Sequence, residues 1–402
     1  MSAPFKQHLI DPEICIRCYT CEMTCPEQAI EHDDNNVIVD ASKCNFCMDC
    51  IPVCPTGSID EWRVVASKDN AYSLEDQYSW DELPEQGDVA ASEAGEAGGA
   101  QSDVDDPVAA LLAEAHKGAG GKAKAPETAA KPTINLYNLG NPVEAVVQGN
   151  YRITSDTSDA DTRHIILEFQ GKPFPVLEGQ SVGILAPGTD ADGKPHLPRL
   201  YSVSSPRDGE RAGYHNVSLT VKREKGGVCS NYLCDLQKGD AIRVTGPFGA
   251  TFLLPSDPKA RLLMICTGTG AAPMRAFTMA RQRTVGEKSG GMVMFFGART
   301  PDTLPYFGPL NKVPSNLLEK HLVFSRLPGQ DKEYVQDRMR QEEDVVAEML
   351  QDPNTYIYIC GMKDMEEGVE QAFTNIAESF GEHWHALRDV MRDAGRFHVE
   401  TY

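Results

Sequence analysis

The chain has 402 residues, with 59 acidic and 38 basic side chains and a formal net charge of -21 at pH 7. Such a charge argues against nucleic acid and anionic membrane surfaces as partners. No apolar run approaches the length of a transmembrane helix, and the chain is long enough for two or three separate hydrophobic cores. We therefore expect a soluble multidomain protein.

Two cysteine runs of identical spacing lie near the N-terminus. Both read Cys-x-x-Cys-x-x-Cys-x-x-x-Cys-Pro, the spacing with which bacterial ferredoxins hold [4Fe–4S] clusters. In such proteins the fourth cysteine of each run ligates the other cluster. The runs therefore predict two [4Fe–4S] clusters with these ligand sets: Cys15, Cys18, Cys21 and Cys54, and Cys44, Cys47, Cys50 and Cys25.

A disulfide framework and a pair of zinc sites are the alternatives for these runs. No apolar core of a signal peptide follows Met1, which argues against a secreted disulfide scaffold. Zinc sites normally use two separated cysteine pairs, whereas each run here is a quartet that ends in Cys-Pro. Because clusters and thiols need a reducing compartment, we expect a cytoplasmic location.

Composition divides the chain into four parts. Residues 1–63 carry both cysteine runs and predict a small α+β ferredoxin domain. Residues 64–133 are acidic, rich in Ala and Gly and poor in large apolar side chains, which predicts a flexible linker. Short β-like runs in residues 134–257 are typical of an antiparallel barrel. Residues 258–402 alternate apolar strands with helical stretches, including an amphipathic helix near 337–350, and predict an α/β domain with a doubly wound parallel sheet.

A glycine-rich turn, Thr267-Gly-Thr-Gly-Ala-Ala-Pro273, follows an apolar strand and precedes a helix. Small residues at such a turn let backbone N–H groups approach a phosphate. Turns of this kind are common in α/β domains, so the other motifs decide its meaning. These motifs are, in chain order, Arg199-Leu-Tyr-Ser202, Gly226-Gly-Val-Cys-Ser-Asn-Tyr-Leu233, Gly246-Pro-Phe-Gly249, Cys360-Gly-Met-Lys363 and Val399-Glu-Thr-Tyr402.

Together these motifs resemble the plant-type ferredoxin–NADP reductase family over roughly residues 135–402. The resemblance implies that Arg199 pairs with the pyrophosphate of FAD, that Tyr201 stacks on the isoalloxazine, and that Ser202 hydrogen-bonds near its N5 atom. Tyr402 would cover the other face of the flavin. The remaining implied FAD-binding residues are Leu200, Thr220, Val221, Lys222, Val228, Cys229 and Ser230.

The resemblance also implies a nicotinamide coenzyme site. Cys360 and Glu400 match the family's residues beside the nicotinamide, and with Ser202 and Tyr402 they are the predicted catalytic residues. A cation and a hydroxyl suit the 2′-phosphate of NADPH, whereas an NAD site favours an acidic side chain. The residues that match the 2′-phosphate pocket are Ser325, Arg326, Lys332 and Tyr334, and the other implied coenzyme contacts are Thr269, Gly297, Ala298, Gly361 and Met362.

The sequence departs from the family pattern in two places. The segment 297–301 replaces the usual coenzyme loop, and Leu304-Pro-Tyr-Phe307 lacks the lysine often found there. The chain also carries its own ferredoxin-like head, whereas plant-type reductases use a separate ferredoxin.

The fused arrangement, with the opening segment 5–18, resembles the reductase components of the bacterial benzoyl-CoA oxygenases (box pathway). That resemblance implies that electrons pass from NADPH through FAD and two [4Fe–4S] clusters to a separate di-iron oxygenase component, which converts benzoyl-CoA to its 2,3-epoxide. The sequence lacks the pair of Glu-x-x-His motifs of a di-iron bundle, so the aromatic chemistry would belong to the partner. A homodimer is compatible with the sequence.

Two other functions are compatible with the same motifs. The first is a general NADPH-dependent reductase that serves another acceptor. The second is a non-catalytic iron–sulfur redox sensor, although a sensor has no need for the residues of a hydride-transfer site.

Overall fold

The structure is a computed structural model that describes residues 5–12, 15, 17, 19–33, 35–51, 54, 58–59, 61–67, 70–84, 124–189, 193, 195–285 and 290–401. The chain forms two compact units, Met1–Lys122 and Ala123–Tyr402. None of the described helices has the length and apolar character needed to cross a membrane. Each unit has its own hydrophobic core.

The described residues of the smaller unit form two short antiparallel strand pairs and two short helices. Strand β1 pairs with β4, and β2 pairs with β3. The core lies between the pairs and contains Ile10, Ile30, Val37, Val39 and Ile59. The elements are β1 (Phe5–Leu9), α1 (Thr20–Thr24), β2 (Ile30–His32), β3 (Val37–Val39), β4 (Glu61–Val65) and α2 (Leu74–Ser79).

The smaller unit continues beyond residue 63, where we placed the start of the linker. The buried Gln77 of α2 exchanges two hydrogen bonds of 3.1 Å with the backbone of Val39, and Asn36 donates to the carbonyl of Trp80 at 2.7 Å. The boundary at residue 63 therefore falls inside the ordered unit, whose described part runs to Pro84. Hydrogen bonds of polar side chains attach this segment to the rest of the unit. Its polar composition therefore does not reveal in the sequence that the segment packs there. Residues 85–123 of the predicted linker lie outside the described residues.

The larger unit begins with an antiparallel sheet of six strands in the order β8-β7-β10-β5-β6-β9. An antiparallel bridge between Val203, just after β8, and Leu219 of β9 joins the two edge strands, so the sheet closes into the expected barrel. Helix α3 (Val228–Asp235) packs against it. The strands are β5 (Val143–Arg152), β6 (Thr162–Glu168), β7 (Ser181–Leu185), β8 (Arg199–Ser202), β9 (Val217–Lys222) and β10 (Ala241–Phe248).

The rest of the larger unit is a parallel sheet of five strands in the order β13-β12-β11-β14-β15. Its strands are β11 (Arg261–Thr267), β12 (Met292–Ala298), β13 (Leu318–Phe324), β14 (Thr355–Gly361) and β15 (Phe397–Thr401). The helices are α4 (Ala271–Thr284), α5 (Phe307–Asn311), α6 (Val335–Gln341), α7 (Glu343–Gln351), α8 (Lys363–Ser379) and α9 (Trp384–Asp393).

Alternate residues of the central strand β11 contribute to two different cores. Leu262 and Met264 pack with side chains of α4, whereas Leu263 and Ile265 pack with side chains of α6 to α9. A strand that is covered on both faces reads as a continuous apolar run, as β11 does in the sequence. The doubly wound parallel sheet predicted for this region is therefore confirmed.

Two helices replace the single amphipathic helix predicted near 337–350. The break lies at Glu342, whose backbone has φ -98° and ψ 37°. Glu343 and Asp344 occupy the first turn of α7, where negative charge is favourable. The break lets buried Met339 of α6 and Val346 of α7 both reach the sheet.

The larger unit also includes residues just before position 134. The side-chain amide of Gln180 donates to the carbonyl of Thr133 at 3.0 Å, and Ala129 forms an antiparallel bridge with Pro255. Described residues 124–133 therefore pack on the larger unit and do not belong to a free linker.

Candidate functional site

In the smaller unit, one cavity is lined by a complete predicted ligand set. Cys25 lies at the cavity wall together with Cys44, Cys47 and Cys50 from the second run. The backbone N–H of Ala29 donates to Cys25 Sγ at 3.3 Å, a contact that suits a thiolate. Burial, with a smaller effect of the three neighbouring thiols, raises the pKa of Cys50 to about 12. The arrangement fits a cluster held by one cysteine of the first run and three of the second.

The other predicted set is described in part. Cys15, Cys21 and Cys54 pack in the same apolar core as Cys25, Cys44 and Cys50. Cys54 Sγ lies 3.4 Å from Ser58 Oγ. Cys18 lies outside the described residues. Across the described part of the chain, no three His, Cys, Asp or Glu side chains are arranged to bind a single metal ion.

Both cysteine runs share an unusual backbone conformation. In each run, the residues just before and just after the second cysteine have positive φ. They are Arg17 (52°) and Tyr19 (58°) in the first run, and Phe46 (61°) and Met48 (65°) in the second. Such angles are uncommon for residues other than glycine. They let the chain turn sharply twice within seven residues, so that three closely spaced cysteines can face one centre. The sequence repeat is therefore also a repeat of local structure.

In the larger unit, a cavity of about 590 Å³ collects most of the predicted FAD-binding residues. Its wall combines the barrel, the start of α3 and the turn before α4. The predicted residues at this wall are Arg199, Leu200, Tyr201, Ser202, Thr220, Lys222, Val228, Cys229, Ser230 and Thr269. The wall also contains Gly226, Gly227 and Ala272 from the quoted motifs, and four residues that the sequence analysis did not single out, namely Ala186, His196, Leu197 and Glu224.

Strand alternation explains why Val221, a predicted FAD residue, is absent from the cavity wall. Thr220 and Lys222 face the cavity, whereas the side chain of Val221 is buried in the barrel core. Side chains of successive strand residues point to opposite faces. Lys222 Nζ donates to Glu224 Oε1 at 2.5 Å, so this cation is already paired.

The start of α3 has the features of a phosphate cradle. Gly226 has φ +80°, and a Cβ on Gly227 would lie 2.6 Å from Ser230 Oγ. The backbone therefore approaches the cavity more closely than a larger residue would allow. Arg199 is exposed beside it, and its guanidinium makes no hydrogen bond or ion pair with another described residue. A diphosphate fits a helix N-terminus that faces an available guanidinium.

Tyr201 and Cys229 contact each other at the apolar part of the same cavity. Burial raises the pKa of the Tyr201 hydroxyl well above its usual range. Burial also raises the pKa of the Cys229 thiol to about 11, with the hydrogen bond from Tyr201 opposing the shift. Both groups are therefore neutral at pH 7, as a wall for a planar aromatic ring requires.

The predicted coenzyme residues lie at one edge of the parallel sheet. In the sheet register Cys360 is aligned with both Cys266 and Glu400, and Thr267 is aligned with Gly297. All these residues are at the carboxyl ends of their strands, the edge at which open α/β sheets bind ligands.

Two glycines bring the ends of β11 and β14 close together. A Cβ on Gly270 would lie 2.1 Å from the carbonyl oxygen of Cys360, and one on Gly361 would lie 2.5 Å from Thr267 Oγ1. Gly361 also has φ +145°. The backbone N–H of Met362 donates to Thr267 Oγ1 at 3.3 Å. Only glycine permits this close approach. Because neither glycine has a side chain, the backbone at this edge of the sheet is left uncovered.

Burial controls the protonation of the predicted catalytic pair. It raises the pKa of Glu400 to about 8, so the carboxyl group is mostly protonated at pH 7. The pKa of Cys360 is raised well above its usual value, first by burial and then by the charge of Glu400. Tyr402 lies outside the described residues.

The residues of the predicted 2′-phosphate pocket follow β13 and precede α6. The backbone N–H of Ser325 donates to the carbonyl of Ala298 at 3.0 Å, and that of Arg326 donates to Arg299 at 2.8 Å, which extends the ladder between β12 and β13. Arg326, Lys332 and Tyr334 are exposed. Within the described residues neither Arg326 nor Lys332 forms an ion pair, so both are available to a phosphate.

Comparison with known proteins divides the chain in the same way. Three family models match: a 4Fe-4S dicluster domain at residues 14–58, an oxidoreductase FAD-binding domain at 158–252 and an oxidoreductase NAD-binding domain at 264–371.

Curated relatives match the larger unit. The chain is 39% identical over 287 residues to the cyanelle ferredoxin–NADP reductase of Cyanophora paradoxa, covering 67% of this chain and 79% of that protein. It is 36% identical over 288 residues to the ferredoxin–NADP reductase of Spirulina sp, covering 67% of this chain and 98% of the relative. Among solved structures, the ferredoxin–NADP⁺ reductase from Plasmodium falciparum aligns with a TM-score of 0.55 at 26% identity, over 67% of this chain and 99% of that one.

Proposed function

The chain belongs to the ferredoxin–NADP reductase family, and from this premise we propose that it is an NADPH-dependent reductase that carries FAD and two [4Fe–4S] clusters. It would pass electrons from NADPH to a separate acceptor. The observation that carries the proposal is the cavity of about 590 Å³, in which FAD-type residues of the barrel meet Thr269 and Ala272 from the coenzyme edge of the parallel sheet.

Each part of the cavity wall has a separate task in this function. Arg199 and the N-terminus of α3 bind a diphosphate, and Tyr201 packs on an aromatic ring. Cys360 and the glycines at the sheet edge position a nicotinamide. Glu400 holds a proton at the end of β15, next to Cys360 in the register. When bound, FAD accepts two electrons from NADPH, and iron–sulfur clusters accept one electron at a time.

NADPH, as opposed to NADH, is the proposed electron donor. The side chains of Arg326 and Lys332 are exposed cations beside the hydroxyl-bearing Ser325 and Tyr334. A guanidinium binds a phosphate through two parallel hydrogen bonds, whereas the ribose of NADH is normally held by a carboxylate. The names of the relatives, which all include NADP, agree with this preference.

The proposed acceptor is the di-iron oxygenase that epoxidises benzoyl-CoA at the 2,3-position. Support comes from the resemblance of the fused architecture to the reductase components of benzoyl-CoA oxygenases. It also comes from the sequence, which lacks the paired Glu-x-x-His motifs of a di-iron site. The oxygen chemistry would therefore belong to the partner.

Anaerobic titration of the cluster-replete chain tests the electron path. We expect NADPH to bleach the flavin absorbance first and then to produce the EPR signal of reduced clusters. Flavin bleaching without cluster reduction would contradict an electron path from FAD to the smaller unit.

After the titration, adding the oxygenase with benzoyl-CoA and O₂ tests the acceptor. An epoxide that forms equally well with an unrelated reductase would argue for a general reductase.

The same titration with NADH tests the coenzyme preference. Arg326→Ala should raise the KM for NADPH on the order of tenfold, because the 2′-phosphate loses about one charged hydrogen-bonding partner. The KM for NADH should stay unchanged. Lys259→Ala is the matched control, because Lys259 is exposed at the opposite, amino-terminal edge of β11. Equal effects of Arg326→Ala on both coenzymes would contradict a 2′-phosphate contact.

A further inference from the structure

Four buried or half-buried side chains join the barrel to the parallel-sheet domain, and we call them the interlobe network. His164 on β6 and Glu210 in the loop after β8 come from the barrel. Arg275 on α4 and Tyr306 just before α5 come from the sheet domain. None of the four was singled out in the sequence as a functional residue.

The interlobe network is a closed ring of contacts. His164 Nδ1 lies 2.9 Å from the Tyr306 hydroxyl, and His164 Nε2 lies 3.1 Å from Glu210 Oε1. Arg275 donates to both oxygens of Glu210, at 2.8 and 2.9 Å. Its guanidinium also lies over the Tyr306 ring, 4.9 Å from the centroid. Every member therefore contacts two others.

Protonation makes the ring directional. Burial lowers the pKa of His164, so the imidazole is neutral at pH 7 and has one N–H. Burial alone would raise the pKa of Glu210, but hydrogen bonds from His164 and Arg275 hold it well below its usual range. Because Glu210 is a carboxylate, the network assigns the histidine proton to Nε2, and Nδ1 accepts from the Tyr306 hydroxyl.

The barrel side of the network reaches the FAD-type cavity at two points. The Tyr306 hydroxyl lies 2.6 Å from Thr220 Oγ1, and Thr220 lines the cavity. Arg275 donates to the carbonyl of Ser204 at 2.7 Å, two residues after the predicted catalytic Ser202. The network therefore contacts β9 and the segment just after β8, next to two strands that form this side of the wall.

The sheet side of the network is equally close to the cavity. Arg275 lies one helical turn after Ala272, and both Ala272 and Thr269 are part of the cavity wall. A movement of α4 relative to the barrel would therefore move the coenzyme edge relative to the predicted flavin position.

We propose that the interlobe network sets the spacing between the coenzyme edge and the FAD-type cavity, with Tyr306 and Arg275 as positioning residues that act through Thr220 and Ser204. The inference rests on the proposed function, because the spacing matters only if the two ligands react there. Reacting groups must approach to about 3–3.5 Å in the correct orientation, and a misplacement of about 1 Å can cost on the order of a hundredfold in rate.

The polar character of the network supports positioning over simple adhesion. Burying charged groups is expensive, and an apolar contact of similar size is often equally stabilising or better. Polar contacts depend on distance and direction, so this ring favours one arrangement of the two domains over its neighbours.

A second contact between the same elements supplies a matched control. Near the other end of α4, Arg283 donates to Asp208 Oδ1 at 2.5 Å and to the carbonyls of Gly209 and Glu210. This contact also joins α4 to the loop after β8. In the described part of the chain Arg283 hydrogen-bonds neither Thr220 nor Ser204, however, so loss of this contact should weaken the interface without altering the cavity wall.

The test compares Tyr306→Phe, Arg275→Lys and the control Asp208→Asn in the full chain with FAD and clusters. One readout is kcat against KM for NADPH with a dye acceptor. The other is the long-wavelength charge-transfer absorbance when NADP⁺ is added to the reduced protein, which reports the stacking of nicotinamide on flavin and does not depend on turnover. We expect Tyr306→Phe and Arg275→Lys to lower kcat on the order of tenfold, to weaken or shift the band, and to change KM little. Asp208→Asn should leave kcat and the band unchanged.

Variants that lose thermal stability but keep the wild-type kcat and absorbance band would overturn the inference, because the network would then be only structural. If Arg275→Lys does not fold, Tyr306→Phe decides, since it removes one oxygen and keeps the ring. A wild-type protein that NADPH does not reduce would instead refute the proposed function and the inference with it. A working wild type with unaffected variants refutes the inference alone.

Discussion

Glu400 shows how a single half-buried carboxyl group connects stability with the proposed chemistry. Burial raises its pKa from 4.5 to about 8. A group with a higher pKa in the folded chain than in the unfolded chain binds more protons when folded. The free energy of unfolding contributed by Glu400 therefore falls as the pH rises between the two pKa values, and the loss is complete above pH 8.

We predict that Glu400→Gln stabilises the chain increasingly as the pH rises. Glutamine has no ionised form, so it avoids the desolvation cost that the carboxylate bears. The difference in Tm between variant and wild type should grow from pH 5 to pH 8 and then level off. Each kcal/mol of desolvation cost that the substitution removes should raise Tm by about 2–4 °C. Thermal denaturation across this pH range checks the prediction, with Glu367→Gln, an exposed glutamate of α8, as the control.

A pH-independent difference in Tm would show that Glu400 is ionised in the folded chain, contrary to its burial. Turnover provides a separate result from the same variant. A reductase should lose most NADPH oxidation with Glu400→Gln, whereas a redox sensor should keep its signal.

At the scale of elements, the turn between β11 and α4 decides how close the coenzyme edge comes to the barrel. Its glycines let the backbone of residues 268–270 pass against the end of β14. This close approach brings Thr269 to the cavity wall and starts α4 beside it.

We predict that Gly270→Ala destabilises the larger unit by about 1–3 kcal/mol, the usual cost of an overpacked site. The new Cβ would lie 2.1 Å from the carbonyl oxygen of Cys360, and backbone cannot yield as a flexible side chain can. Chemical denaturation of the full chain, followed by the far-ultraviolet circular dichroism, measures the change. NADPH oxidation should fall as well, because the end of β14 must move.

Gly308→Ala is the matched control for this substitution. Gly308 is exposed in α5, and a Cβ there would meet no atom within 4 Å. Alanine is the better helix former, so this variant should be neutral or more stable. If both variants behave alike, the close approach at Gly270 is not what restricts the turn.

At the scale of the whole molecule, two units with separate cores are joined by residues 85–123. The composition of this segment predicts a tether, which raises the effective concentration of one unit near the other without any fixed contact. Transfer between the units would then be independent of protein concentration.

We predict that cutting the chain near residue 100, at an inserted protease site, separates the two activities. NADPH oxidation with a dye should stay unchanged, because all the cavity residues belong to the larger unit. Cluster reduction by NADPH should slow on the order of tenfold or more at micromolar protein, since the tether no longer supplies a millimolar effective concentration. Stopped-flow absorbance at several protein concentrations measures both rates. The control is the uncut chain with the same inserted site. Equal rates of cluster reduction before and after the cut would contradict the tether.

Local sequence was sufficient to predict the fold class of this protein and its 4Fe–4S, FAD-binding and NAD-binding domains. The cysteine spacing indicated a [4Fe–4S] domain because three ligands of a cluster come from one short segment. The barrel was predicted from short β-like runs separated by turns, and the parallel sheet from continuous apolar runs that alternate with helical stretches. The positions of Arg199, Tyr201 and Ser230 in one cavity agree with expectations that rested on motif resemblance.

Tertiary structure decided what depends on residues far apart in the chain. It brought Cys25 to the cavity of the second cysteine run, and it extended the smaller unit beyond residue 63 through the hydrogen bonds of Gln77. It also joined His164 to Tyr306, which are 142 positions apart. No local pattern marks such pairs, because their contact depends on how whole elements pack, and the free energy that selects that packing is shared among many residues.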